Sequence, residues 1–147
     1  MRRFLIPDNY NISPLALIRW VSSEYEDAIA KRAGNKKILK QKAVRSILKI
    51  LSLNSGISQN DLAREVHLKG STVCIALNLM EKEELIRREP SINDKRKINV
   101  YITSKGYDLK KELEEMVADT EKEMLNMLSD NEKYELSILL RKVLTNF

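Results

Sequence analysis

Between Ile86 and Thr103 the spacing of apolar residues changes from helical to alternating, and beyond Thr103 it changes back. A chain of 147 residues that is helical in pattern on both sides of one short alternating stretch must build its core from helices and carry a single hairpin. Residues 86–91 and 98–103 read as the two strands, flanking a polar turn at Asn93, Asp94, Lys95 and Arg96. In the second strand Ile98, Val100 and Ile102 share one face, and Asn99, Tyr101 and Thr103 the other. The length suits one domain with one core.

The flanking helices carry their own punctuation. Ser13 followed by Pro14 reads as an N-cap with proline in the first turn, and Leu15, Ile18, Val21, Tyr25 and Ile29 recur at helical spacing until Gly34. A second helix is expected from about residue 40 to 53, with Val44, Ile47, Leu48 and Leu51 inward and Lys40, Lys42, Arg45 and Lys49 outward. Asn54, Ser55 and Gly56 stop it. Ser58, three residues before Asp61, opens a short helix that turns Leu62, Ala63 and Val66 inward. After a connection at His67 and Leu68, a further helix sends Val73, Ala76, Leu77 and Met80 to the core, and the two form a helix-turn-helix. Thr103 caps a long helix over about 104–128, with Leu109, Leu113, Met116, Val117, Met124 and Leu128 as its stripe. Ser129 caps the last, to about 145, which displays Tyr134, Ile138, Leu139, Leu140, Val143 and Leu144.

Charge is segregated along the chain. Residues 36–97 hold fourteen basic and seven acidic groups, whereas residues 98–147 hold seven and ten. A basic block confined to the segment with the helix-turn-helix and hairpin points to a polyanion, met by one surface, and leaves the acidic C-terminal part for another task. A recognition helix in a major groove needs an inward anchoring stripe and an outward face of side chains that reach base edges. With Val73, Ala76, Leu77 and Met80 inward, the outward set is Lys69, Ser71, Thr72, Cys74, Ile75 and Asn78. Asn78 suits adenine, Ser71 and Thr72 suit bases or phosphates, and Ile75 suits a thymine methyl. At the hairpin tip Arg96, between Lys95 and Lys97, suits a narrow minor groove, and Asp94 can fix its geometry. The alternatives are an ordinary amphipathic helix and a solvated charged turn.

The segment Asp94, Arg96, Val100, Ile102, Thr103 and Gly106 resembles the MarR-family wing signature, in which Asp, Arg, an apolar residue, Leu, Thr and Gly stand at these spacings. The run from Ser71, Thr72 and Val73 to Met80, then Leu85, Ile86 and Arg88, is similar to that family's recognition helix and its lead into the wing. The resemblance implies a mainly α fold with a small β-hairpin wing. It divides the chain into a winged helix-turn-helix lobe at residues 36–103 and dimerisation helices at 1–35 and 104–147. It also implies Arg96 as the minor-groove arginine, Asp94 as its orienting partner, Ser71 and Thr72 as contacts near the start of the recognition helix, and ligand pockets between the dimer interface and the lobe. Three residues depart from the pattern: Lys69 where a capping Ser is common, Ile75 where a basic residue is frequent, and Glu84 where Gly is frequent before the wing.

A homodimer is also expected on physical grounds, because the terminal helices and the segments with Leu5, Ile6, Ile12, Val143, Leu144 and Phe147 offer more apolar surface than a small lobe can cover. Two-fold symmetry would place two recognition helices on half-sites of a pseudo-palindrome in double-stranded DNA. Tyr10, Trp20 and Tyr25 belong either to a pocket for a small phenolic-type effector or to core and interface. Cys74, the sole cysteine, excludes an intrachain disulfide and a multi-thiolate zinc site; on the outward face, with no basic neighbour expected, it reads as a tolerated small side chain rather than a redox switch. His67 reads as structural. No phosphate loop, zinc spacing or nucleophile motif is present, so neither a cofactor nor an enzyme is expected. No signal-peptide-like start and no membrane-length apolar run occurs, and the chain is read as cytoplasmic. Three functions stay open at this point: a sequence-specific regulator, an architectural protein that coats DNA with little preference, and a protein-interaction module.

Overall fold

The computed structural model describes residues 11–146. Tyr10, Leu5, Ile6 and Phe147, assigned above to a pocket or an interface, lie outside the described residues. The chain forms α1 (Pro14–Arg32), a 3-10 turn (Lys37–Lys40), α2 (Lys42–Leu53), β1 (Ile57–Ser58), α3 (Gln59–Glu65), α4 (Gly70–Lys82), β2 (Ile86–Pro90), β3 (Ile98–Ile102), α5 (Ser104–Met124) and α6 (Asp130–Leu144). The expected helices and hairpin are all present.

Four details differ from the sequence expectation. The second helix starts at Lys42, because residues 37–40 tighten into a turn that carries Leu39 fully into the core. A third strand, β1, pairs antiparallel with β3, Ile57 opposite Val100, so that β3 is the centre of a three-stranded sheet ordered β1-β3-β2. Two residues are too few to show a period. Ile98 shares a face with Val100 and Ile102 yet is partly exposed, since the hairpin projects beyond the core at that end. Finally, α5 ends at Met124, and residues 125–128 form a turn closed by the Leu128 N–H on the Leu125 carbonyl.

One core runs through lobe and terminal helices alike. Val44, Ile47, Leu48 and Leu51 of α2, Leu62 of α3 and the whole inward stripe of α4 are buried, together with Ile29 and Ala33 from the α1 end and Leu113 of α5. Each fully buried aliphatic side chain contributes about 1.5–3 kcal/mol, so α1 and α5 are anchored on the lobe. By contrast α6 has no buried residue. Its Leu136, Leu139, Leu140, Val143 and Leu144 face outward at i, i+3, i+4, i+7 and i+8, and Leu15, Leu17, Ile18, Trp20 and Val21 are exposed in the first half of α1.

The path from α4 into the hairpin is set by backbone hydrogen bonds. The Leu85 N–H donates to the Met80 carbonyl and the Glu84 N–H to the Glu81 carbonyl, both at 2.9 Å, with Glu84 at φ 61. That is a Schellman ending with Glu84 in the left-handed position where glycine is usual. His67 ends α3 in the same way at φ 52, its N–H on the Arg64 carbonyl and that of Leu68 on the Ala63 carbonyl, which supports a structural role for the histidine. At the other end of the hairpin, Thr103 Oγ1 accepts from the Gly106 N–H at 3.1 Å and donates to the Glu84 carbonyl at 2.7 Å. A Cβ on Gly106 would overlap the Leu85 carbonyl oxygen and come within 2.7 Å of Ile102 Cγ1.

Two substitutions probe this junction by denaturant unfolding. Gly106→Ala is expected to lower stability by about 2–3 kcal/mol through overpacking. Glu84→Gly is expected to raise it by about 0.5–1 kcal/mol, relief of left-handed strain being partly offset by unfolded-chain entropy. A neutral Gly106→Ala would contradict the close approach.

Candidate nucleic-acid interface

The outward face of α4 is largely as its periodicity requires. With Val73, Ala76, Leu77 and Met80 buried, Ser71, Thr72, Ile75 and Asn78 are exposed, and Ile75 keeps 70% of its surface in water. Lys69 occupies the N-cap and makes no side-chain cap hydrogen bond, so the first turn of α4 leaves its N–H groups free for another acceptor. Cys74 departs from the expectation: it is half-buried at the edge of the outward face rather than fully on it. The hairpin also brings Arg88 near enough to interact with it electrostatically, although no basic neighbour was expected there.

At the hairpin tip the Arg96 side chain is 92% exposed, yet it is oriented. Its Nε and its own backbone N–H both donate to Asp94 Oδ1 at 3.1 Å. These bonds hold the Asp94 carboxyl below the usual carboxylate range, with Lys97 adding to the effect. The Lys97 N–H closes the turn on the Asp94 carbonyl, and the Ser91 N–H closes the strands on the Lys97 carbonyl, both at 2.8 Å. Lys95 and Lys97 are exposed. A crevice of about 220 Å³ between the tip and the start of α3 is lined by Ser58, Gln59, Asn60, Arg96, Lys97 and Ile98. Ser58 itself accepts from the Asp61 N–H at 3.2 Å and donates to Asp61 Oδ2 at 2.5 Å. The start of α3 and the hairpin tip therefore share a border.

Arg88 was not singled out from the sequence for any role of its own. In β2 it pairs with Val100 of β3 and shares the inner face with Ile86, directly over α4, whereas Arg87 lies on the outer face with its guanidinium 4.4 Å from the Tyr101 ring centroid. A charge on an inner face needs partners, and Glu81 supplies them. The Arg88 Nε and Nη2 donate to Glu81 Oε2 at 3.1 and 2.5 Å, and the Arg88 backbone N–H donates to Glu81 Oε1 at 3.2 Å. The hydrogen bonds from Arg88 hold the Glu81 carboxyl below its ordinary range. Strand alternation in residues 86–90 was the available signal.

A second feature lies on the other side of the lobe. A cleft of about 430 Å³ opens between α1, α2 and α5, and its walls include Tyr25, Lys42, Arg45, Lys49, Lys110 and Val117. Arg45 bridges the walls, paired with Glu26 and donating through Nη1 to the Leu39 carbonyl at 2.7 Å. Burial, followed by the nearby Glu121 and Glu26 charges, pushes the Tyr25 hydroxyl above its usual value. Of the three aromatics noted in the sequence, Tyr25 lines this cleft, Trp20 is partly exposed elsewhere on α1, and Tyr10 is not described.

Residues 43–97 match the MarR family model. Over 90–92% of its length the chain has the fold of solved MarR-family regulators. It is 23% identical to the reduced form of MarR from E. coli, with a TM-score of 0.83 over 92% of this chain and 99% of that one. It is 24% identical to S. aureus MepR in a DNA complex, with a TM-score of 0.80 over 92% and 99%. It is 18% identical to the PcaV transcriptional regulator of Streptomyces coelicolor in complex with its natural ligand, with a TM-score of 0.75 over 90% and 92%. No curated protein matches the sequence. Among the described residues there is no helix long and apolar enough to cross a membrane, and no group of three or more His, Cys, Asp or Glu placed to hold a metal ion.

The Glu81 pair carries a pH signature. Because its folded pKa is lowered, its contribution to stability is complete above the ordinary glutamate value of about 4.3 and is lost as pH falls through the lowered one. Between about pH 5 and pH 3, the urea midpoint of the unmodified protein should therefore fall more steeply than that of Glu81→Gln. Equal slopes would show that the pair adds nothing.

Proposed function

From the premise that the chain carries a MarR-family lobe within a MarR fold, we propose that it is a DNA-binding transcriptional regulator acting as a homodimer, in the manner of a repressor, on pseudo-palindromic duplex DNA. The observation that carries this reading is the pairing of Arg96 with Asp94: a guanidinium almost wholly in water and already oriented, at the tip of a narrow hairpin. Such a group enters a minor groove with little further ordering cost. Lys95 and Lys97 add charge beside it, while Lys69 at the N-cap of α4 and Ser71, Thr72, Ile75 and Asn78 on the helix face a major groove and Cys74 borders that face. MepR, which shares the fold, is solved on DNA.

The uncovered stripe of α6, with the exposed apolar residues of α1, is the surface that a second copy would bury. Residues 36–103 would then serve as the DNA-binding lobe, and residues 1–35 and 104–147 would hold the dimer. The cleft between α1, α2 and α5 lies between those two parts, within the volume of roughly 300–1,000 Å³ usual for small-ligand sites. A phenolic-type effector fits its mixture of Tyr25, apolar wall and cations. By binding one lobe orientation more tightly than the other, it would shift the separation of the recognition helices. PcaV is solved with a natural ligand.

The competing reading is an architectural protein, favoured by the small number of base-reading side chains on α4. Competition binding separates the two. A regulator prefers its selected palindrome over random duplex by at least about a thousandfold, and near-equal affinity would support coating. Arg96→Ala is expected to weaken binding and to reduce the salt slope by about one unit. An unchanged slope and affinity would remove the wing from the interface.

A further inference from the structure

Among the described residues, every side-chain hydrogen bond of Arg88 runs to α4. Besides its three bonds with Glu81, its Nη2 donates to Asn78 Oδ1 at 2.8 Å. Asn78 and Glu81 are three residues apart and therefore neighbours on the helix surface. The Arg88 side chain is 22% exposed, packed between strand and helix, whereas Asn78 is exposed on the same stripe as Ser71 and Ile75. A guanidinium has donors and no acceptor, so the Asn78 atom that faces it has to be the carbonyl oxygen. The amino group of Asn78 then points away from Arg88.

We propose that Arg88 sets the base preference of Asn78, holding Oδ1 so that the side chain meets the major groove as a donor and selects guanine. Guanine offers two acceptors there, N7 and O6. The adenine edge expected from the sequence needs the asparagine oxygen to face N6–H. With that oxygen turned toward Arg88 the amino group faces the base instead, where it meets O6 of guanine as an acceptor but N6–H of adenine as a second donor. Arg88 is thus a positioning residue: it acts through Asn78, and Glu81 fixes Arg88 in turn. The proposal rests on the regulator reading, since Asn78 has to face the groove.

Selection of bound sequences from random duplex DNA tests it, using the full chain, Asn78→Ala, and a double variant of Arg88→Met with Glu81→Met that leaves no unpaired carboxylate. The unmodified protein is expected to prefer guanine roughly fivefold at one position of each half-site, the worth of about one neutral hydrogen bond. Asn78→Ala should lose that preference and no other, and the double variant should shift it toward adenine. If the double variant keeps the guanine preference that Asn78→Ala abolishes, Arg88 does not set it. If Asn78→Ala leaves every position unchanged, Asn78 does not read a base, and the proposal fails while the regulator reading stands. A protein that enriches no sequence at all overturns both. A second measurement does not depend on the double variant folding: 2-aminopurine paired with thymine at the preferred position, which keeps N7 but lacks O6, should weaken the unmodified protein roughly fivefold and Asn78→Ala not at all. No loss in the unmodified protein, or an equal loss in both, contradicts donor readout.

Discussion

The relation of α4, the hairpin and α5 depends on the hydrogen bonds of Thr103. Its hydroxyl joins the Glu84 carbonyl, where α4 has just ended, to the Gly106 N–H, where α5 is starting, and its backbone N–H donates to the Leu85 carbonyl at 3.0 Å. Four elements meet there within one small side chain's reach. Any loosening would let α4 drift relative to the hairpin tip. Gly106 is part of the same constraint, because the Leu85 carbonyl occupies the space a side chain would need. This gives a physical reason for a Thr and a Gly at these spacings after the second strand.

The clamp of Arg88 on Glu81 reinforces that relation further along the hairpin, and the Asp94–Arg96 pair orders its end. Three polar devices of different kinds therefore fix one surface: a helix cap at the base, a packed ion pair in the middle and an exposed one at the tip. The exposed pair is worth little in stability, since solvent screens it. Its effect is on where the guanidinium stands. The basic excess of residues 36–97 gives that surface its long-range attraction for a polyanion.

What was legible in the sequence was local. The caps at Ser58, Thr103 and Ser129 and the inward stripe of α4 all depend on partners within a few residues, and each is present as read. The Asp94–Arg96 pair, two residues apart, was readable for the same reason. What escaped depends on chain segments brought together only by folding. Arg45 meets Glu26 across 19 positions, and Arg32 donates to the buried Thr120 across 88; neither pairing leaves a periodic trace. Arg88 was hidden differently, as a charged residue on the inner face of a strand, where alternation predicts an apolar one. The placement of Cys74 at the edge of the outward face is a matter of a fraction of a helical turn, finer than periodicity resolves.

The basic lobe and the uncovered stripe of α6 meet in one proposal: two copies clasp through their terminal helices and so present a matched pair of α4 helices and wing tips. Sedimentation equilibrium of the full chain, alone and with a selected duplex, tests this most directly. Twice the 17.0 kDa chain mass in free solution, and one such pair per duplex, is the result the account predicts. A single chain in free solution, and again on the duplex, would contradict it.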